Sequence, residues 1–352
     1  MSTGRRLTGV LCAVIGAVTA CDRRGEPASA APAAGLAYVT NEVSQDLTVI
    51  ATASDSVVAT VPLGARARGV KVSPDGRFVY VALSGSPRCP PTMPDEECAK
   101  LPTDKSKDGI AEIDAATHEV IRILPGGSDP EQFDVSADGS WLYVANEDAG
   151  VASIVDLRSA QITVTVPVGT EPEGVAVRPD GRAVYVTAET DHVVTALDAR
   201  TGRELDRVTV GRRPRDLAFA PDGSRLYVSA EVDGTVSVIE VPEHRVSSDI
   251  TLPPGFRPMG VEVSPDGKRV YVAGGRGGSV AVIDAGTNTI VGSVKVGTRP
   301  WGIALTPDGK KLYAANGPSN DVSVVDTETL RVIATIPAGK SPWGVAIGPA
   351  PR

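Results

Sequence analysis

The sequence predicts an all-β chain folded as a seven-bladed β-propeller, with four antiparallel strands per blade and the C-terminal strand joining the first blade. Three observations predict it. A tyrosine followed by small or β-branched residues recurs at Tyr38, Tyr80, Tyr143, Tyr185, Tyr227, Tyr271 and Tyr313, at intervals of 42, 63, 42, 42, 44 and 42 residues. Six of the seven follow an Asp-Gly turn (Asp75-Gly76, Asp138-Gly139, Asp180-Gly181, Asp222-Gly223, Asp266-Gly267 and Asp308-Gly309), where glycine accepts the positive φ of a tight turn. The 352 residues include 37 Gly and 28 Pro but only 4% aromatics, which leaves Val and Ala to pack short strands between many turns.

At the N-terminus, Arg5 and Arg6 precede an apolar run from Leu7 to Ala20. A bilayer span needs about 20 apolar residues, so this shorter run reads as a secretory signal over residues 1–20. It ends Val18-Thr19-Ala20-Cys21, which resembles the lipobox of bacterial lipoproteins. That resemblance implies cleavage before Cys21 and acylation of its thiol, and two or more acyl chains give stable anchoring. Residues 21–35 are rich in Ala, Pro and Gly and read as a flexible tether. Asp22 resembles an inner-membrane retention signal, so the expected location is the periplasmic side of a bacterial membrane.

The repeat domain covers 36–350. Its fourth unit shows the pattern, with strands expected at Gly174–Val177, Ala183–Ala188, Val193–Asp198 and Glu204–Val210. Four short strands in about 42 residues make a propeller blade rather than a solenoid coil. The chain enters in the second strand of a blade at Tyr38 and finishes with a first strand, Trp343–Ile347, that lacks partners. Joining the two completes one blade and closes the ring. The long interval between Tyr80 and Tyr143 marks an insertion, 84–106, holding Cys89 and Cys98. In an exported protein such a pair reads as a disulfide.

Net charge is −8, which argues against a nucleic-acid partner, since phosphate binding needs a basic face. The chain has 3 His. His118 and His244 fall in turns on the Asp-Gly rim, and His192 lies on the opposite rim beside Asp191 and Glu189. No serine sits in a nucleophile elbow, and no glycine-rich phosphate loop follows a strand. Neither a metal nor a cofactor is expected, although Asp129, Glu131, Glu171 and Glu173 together could take Ca²⁺ if nearby arginines did not neutralise them.

Positions equivalent by register locate the candidate site on the rim opposite the Asp-Gly turns. The residue leading into each first strand reads, around the ring, Trp343, Arg68, Glu131, Glu173, Arg215, Met259, Trp301. Two positions earlier stand Ser341, Arg66, Asp129, Glu171, Arg213, Arg257 and Arg299. After the Tyr strand, Glu42, Glu147, Glu189 and Glu231 share one register, with Gly275 and Gly317 in their place in the last two blades. The rim is thus expected to be acidic at blades three and four and basic at five to seven, with Trp301 and Trp343 beside the closure. Trp and Arg dominate binding hot spots, although exposed Arg–Glu pairs can also be plain inter-blade ties worth about 0–1 kcal/mol each.

Tyr38-Val39-Thr40-Asn41 and Tyr143-Val144-Ala145-Asn146 resemble the YVTN-repeat β-propeller family. Ser128-Asp129-Pro130-Glu131, Ala145-Asn146-Glu147-Asp148, Glu171-Pro172-Glu173-Gly174, Val228-Ser229-Ala230-Glu231 and Asn316 to Val322 are similar to β-propeller proteins associated with pyrroloquinoline-quinone-dependent catabolism. The 21-residue insertion departs from that pattern. The preferred expectation is a monomeric, non-enzymatic, membrane-tethered propeller whose loop rim binds a small molecule or a partner, and the resemblance implies that this partner or ligand belongs to quinone-dependent alcohol or aldehyde oxidation, such as a quinoprotein dehydrogenase or its cytochrome. Two alternatives stand beside it. One is a lactonase-like hydrolase using the rim carboxylates and arginines, and the other is a cell-surface interaction protein.

Overall fold

Valine-rich runs between tight turns cannot bury both faces within one sheet, so the sheets must stack face to face. In the computed structural model they do so as a ring. The structure describes Met1 and residues 35–88, 93–98, 100–241 and 243–349. Among these residues, 28 strands form seven four-stranded antiparallel sheets within the compact unit Ala34–Arg352. The expected seven-bladed propeller is the observed fold.

Blade 1 is built from both ends of this unit. Its inner strand, Pro342–Gly348, pairs with Leu36–Asn41, which is followed outward by Asp46–Ala51 and Ser56–Pro62. Tyr38 opposes Ala346 and Val39 opposes Val345 in this closing ladder. In blades 2 to 7 the four strands follow chain order from the axis outward. Their inner strands are Arg66–Val72, Pro130–Val135, Pro172–Val177, Pro214–Phe219, Pro258–Val263 and Pro300–Leu305. The fourth unit starts two residues earlier and ends one earlier than expected, with Pro172–Val177 and Glu204–Thr209 at its two edges.

The core lies between blades. Tyr38, Tyr185, Tyr227 and Tyr313 are fully buried there against Val, Leu and Ile of the adjoining sheets. Near the axis the inner strands converge, and in five of the seven blades a glycine directly after the rim residue (Gly344, Gly69, Gly174, Gly260 and Gly302) permits it. A Cβ on Gly174 would stand 2.6 Å from the Arg215 carbonyl, and one on Gly302 would stand 2.8 Å from the Trp343 carbonyl.

Residues 2–34 lie outside the described residues, and with them Cys21 and the signal and tether expectations. No disulfide is found among the described residues, and Cys89, the expected partner of Cys98, lies outside them. Within the insertion the described parts form a short helix, Asp95–Cys98, and a 3₁₀ turn, Lys105–Lys107. Arg88 pairs with Glu42 of blade 1 at 3.0 Å, while Lys105 pairs with Asp148 of blade 3. The insertion therefore ties to the blades on either side of its own.

Candidate active site

Six of the seven inner strands, all but that of blade 2, begin at a repeated turn that fixes the rim residues. Asp129, Glu171, Arg213, Arg257, Arg299 and Ser341 all take left-handed φ, between 52° and 60°. Their carbonyls accept the N–H of Glu147, Glu189, Glu231, Gly275, Gly317 and Glu42 respectively, at 2.8–3.3 Å. Non-glycine residues in this region carry strain and cluster at functional sites. The turn aims the next-but-one side chain inward, so Arg68, Glu131, Glu173, Arg215, Met259, Trp301 and Trp343 ring the mouth of the central channel.

Two buried ion clusters result. In the first, Arg68 Nη1 donates to Glu147 at 2.7 Å and pairs with Glu131, while Asp129 lies 3.7 Å away. Arg66 lies within 3.6 Å of both Asp129 and Glu42, and Ser84 donates to Asp129. In the second, Arg215 Nη1 donates to Glu173 at 2.6 Å and also to Glu189, while its Nε donates to Glu231 at 2.9 Å. Arg213 donates to Glu189 at 2.6 Å. Glu171 stays outside both clusters, exposed, and accepts from Thr190. The rim is therefore interleaved rather than polarised, because arginines of blades 2 and 5 reach into the acidic sector.

Glu173 and Glu189 of the second cluster are pushed in opposite directions. Burial, helped by the adjacent Glu189, raises the Glu173 carboxyl well above its ordinary value against the pull of Arg215. Burial opposes charge on Glu189 too, but Arg215, a hydrogen bond with Glu173 and Arg213 hold it below its ordinary value. Two carboxyls in contact share a proton for this reason.

Trp301 and Trp343 stack with centroids 5.8 Å apart and planes 26° apart. Arg68 lies over Trp343 at 5.9 Å, while Arg215 and Arg299 lie over Trp301 at 5.7 and 5.1 Å. The rim acid is absent in the last two blades. Among the described residues, Arg257, Arg276 and Arg299 form no ion pair there. Burial, together with the Arg215, Arg276 and Arg88 charges, pulls the Arg299 guanidinium below its usual value. His192 Nδ1 lies 2.8 Å from the Glu189 carbonyl and 3.4 Å from the Arg213 backbone N–H, so it touches the second cluster only through its backbone.

The channel below the mouth, about 400 Å³, is lined by groups that motif reasoning missed: Lys71, Asp134, Asp216 and Glu262. Lys71 lies 3.5 Å from Asp134. Asp134 accepts the Val177 N–H at 2.8 Å and Asp216 accepts the Val261 N–H at 3.0 Å, each tying one blade to the next. Burial, with Asp216 and Asp134 adding and Lys71 opposing, pushes the Glu262 carboxyl up to about 7. The signal was present in the register: the fifth inner-strand position is Ala in four blades, but Lys71, Asp134 and Glu262 in the others.

A lactonase family of seven-bladed β-propellers matches residues 29–171 and 175–332. The chain belongs to that family. This membership overturns the expected non-enzymatic scaffold accessory to quinone-dependent oxidation and favours the hydrolase that stood as its alternative. No curated protein matches the lactonase-family chain. Three solved structures share its fold. A candidate 6-phosphogluconolactonase from Bacteroides uniformis is 20% identical, with TM-score 0.71, covering 89% of this chain and 99% of that one. A functionally unknown protein from Desulfotomaculum acetoxidans is 18% identical, with TM-score 0.73, covering 89% and 98%. Hydrazine synthase from Kuenenia stuttgartiensis is 21% identical, with TM-score 0.68, covering 80% and 89%.

Proposed function

We propose that the protein hydrolyses lactones at the channel mouth, with Glu173, Glu189 and Arg215 as the reacting groups. One observation carries this reading: in a lactonase-family chain, one guanidinium bridges two buried carboxyls, one raised above its ordinary value by burial and the other held below it by neighbouring cations. Ionised Glu189 takes a proton from water as its oxygen adds to the lactone carbonyl. Arg215 faces the oxyanion that forms. Protonated Glu173 gives its proton to the ring oxygen as the acyl–oxygen bond breaks, leaving a hydroxy acid. The proton on Glu189 then passes to Glu173 and restores the pair. General acid–base transfer of this kind contributes roughly 10²–10⁴-fold, and a positioned oxyanion donor about 10²–10³-fold.

The unpaired arginines support a lactone that carries a second, anionic group. Arg299 lies over Trp301 at 5.1 Å and feels the charges of Arg215 and Arg276 with Glu231 opposing, so a phosphate or carboxylate placed there would pair with it. The test is proton release at constant pH with 6-phosphogluconolactone and with neutral gluconolactone. The expected result is saturable turnover, with kcat/KM at least tenfold higher for the phosphorylated substrate and a rate abolished by Glu173→Gln. Rates no faster than spontaneous hydrolysis for both lactones would overturn the reading.

A further inference from the structure

Every blade carries a β-bulge at one place in its outer strand. The ladder from the third strand skips Val58, Ile121, Thr163, Leu205, Ser247, Val291 and Ile333 in blades 1 to 7. A bulge leaves one residue unpaired and re-aims its side chain, and all seven are exposed. In blades 3 and 5 the bulged residue is polar. Thr163 donates to the Ile154 carbonyl at 3.1 Å and Ser247 to the Val238 carbonyl at 3.2 Å. The bulge therefore does not need an apolar side chain.

Yet in blades 6, 7, 1 and 2, consecutive around the ring, it is a branched apolar residue. Val291, Ile333, Val58 and Ile121 are 50–57% exposed. Val57, Val120, Ile123, Ile290 and Val332 join them, so nine of the thirteen large apolar side chains exposed among the described residues lie on these four outer strands. The outer strands of blades 6 and 7, and of 7 and 1, lie against one another. No acidic residue lies on the four outer strands of the arc, which carry only Arg122, Lys295 and Arg331, whereas the outer strands of blades 4 and 5 carry Glu204, Asp206 and Asp249. Contiguous exposed apolar surface of this kind marks an interaction site.

Two facts indicate what covers it. The four bulges lie toward the Asp-Gly rim, away from the site rim. The chain also enters the ring at that rim, at Leu36 in blade 1, inside the apolar arc. Cys21 stands fifteen residues before Leu36. Even fully extended, that stretch reaches only about 50 Å. An acyl anchor at Cys21 keeps this side of the ring near the lipid.

We propose that the apolar arc of blades 6, 7, 1 and 2 rests on a lipid bilayer through Val58, Ile121, Val291 and Ile333, with the loop rim turned away from the membrane. The side chains enter the interfacial region, where burial of apolar area adds to the binding of an anchor.

The test is flotation with phosphatidylcholine vesicles of the full chain carrying Cys21→Ser. It is compared with the same chain carrying also Val58→Ser, Ile121→Ser, Val291→Ser and Ile333→Ser. The N-terminal apolar run is common to both, so the difference reads the arc. The fourfold variant is expected to float at least fivefold less, while Leu205→Ser changes the fraction by less than twofold. If the fourfold chain unfolds, the pairs Val58→Ser/Ile333→Ser and Ile121→Ser/Val291→Ser are each expected to lower flotation at least twofold. Equal flotation of parent and variants would overturn the proposal. So would a dimer in sedimentation velocity that the serines abolish without any vesicle binding, which would assign the arc to a second copy of the chain.

Discussion

Arg215 of blade 5 donates through Nη1 to the Glu173 carboxylate of blade 4 at 2.6 Å, and both side chains are buried. The same guanidinium holds Glu189 and Glu231. Removing one member of a buried ion cluster strands the others, at about 3–5 kcal/mol. Arg215→Met is therefore expected to lower urea-unfolding stability by about that amount. Adding Glu189→Gln should recover part of the loss, because one stranded charge is gone.

Glu262 makes stability depend on pH. Its carboxyl titrates near 7 in the fold, against about 4.3 in an unfolded chain. The folded state binds the extra proton between those values, so this contribution is fully present below about pH 4 and is lost as pH rises through 7. The loss is at most about 4 kcal/mol, reduced by access of water to the channel. Lys71, Asp134 and Asp216 face the same space. Glu262→Gln is expected to flatten the fall in thermal midpoint between pH 5 and 8 and to raise the midpoint at pH 8.

Gly317 occupies the register of Glu42, Glu147, Glu189 and Glu231. A Cβ there stands 3.6 Å from the Trp301 ring, an ordinary contact. Gly317→Glu places a carboxylate beside Arg299 and so competes with an anionic substrate. KM for 6-phosphogluconolactone is expected to rise at least tenfold with kcat changed less than threefold, and a neutral lactone should be unaffected.

The ring closes on the far rim through Lys311, which donates to the Thr52 carbonyl at 2.9 Å and to Asp55 at 2.7 Å, beside a Tyr313–Asp55 hydrogen bond. Arg225 and Arg269 make the equivalent bond to the Ala285 and Thr327 carbonyls one blade on. Lys311→Met is expected to lower unfolding free energy by about 1–2 kcal/mol. Arg225→Met, which leaves the blade 7 to blade 1 seam intact, should cost less in urea unfolding.

The propeller was legible because its signals are local and repeated: the Tyr strand, the Asp-Gly turn and the orphan strand Trp343–Ile347. The rim residues share one register, and Asp129, Glu171, Arg213 and Arg299 share one turn. Their pairing was not legible. Glu173, Glu189 and Arg215 lie on adjoining blades with no linear motif, so the acid pair emerges only when blade 5 is placed beside blade 4. The scaffold expectation followed from the lack of a serine or histidine motif, a criterion that carboxylate chemistry escapes. Lys71, Asp134 and Glu262 stood out at an Ala position, but turns drew attention away from the strand interiors.

The central claim is that the Glu173–Glu189–Arg215 cluster opens a lactone ring. The most direct measurement is kcat for 6-phosphogluconolactone in the wild-type and Glu173→Gln proteins, side by side at constant pH, with folding checked by circular dichroism. The account predicts a fall in kcat of at least 100-fold with KM within threefold, since the amide keeps the shape and loses the proton. Equal kcat in the two folded proteins would contradict it.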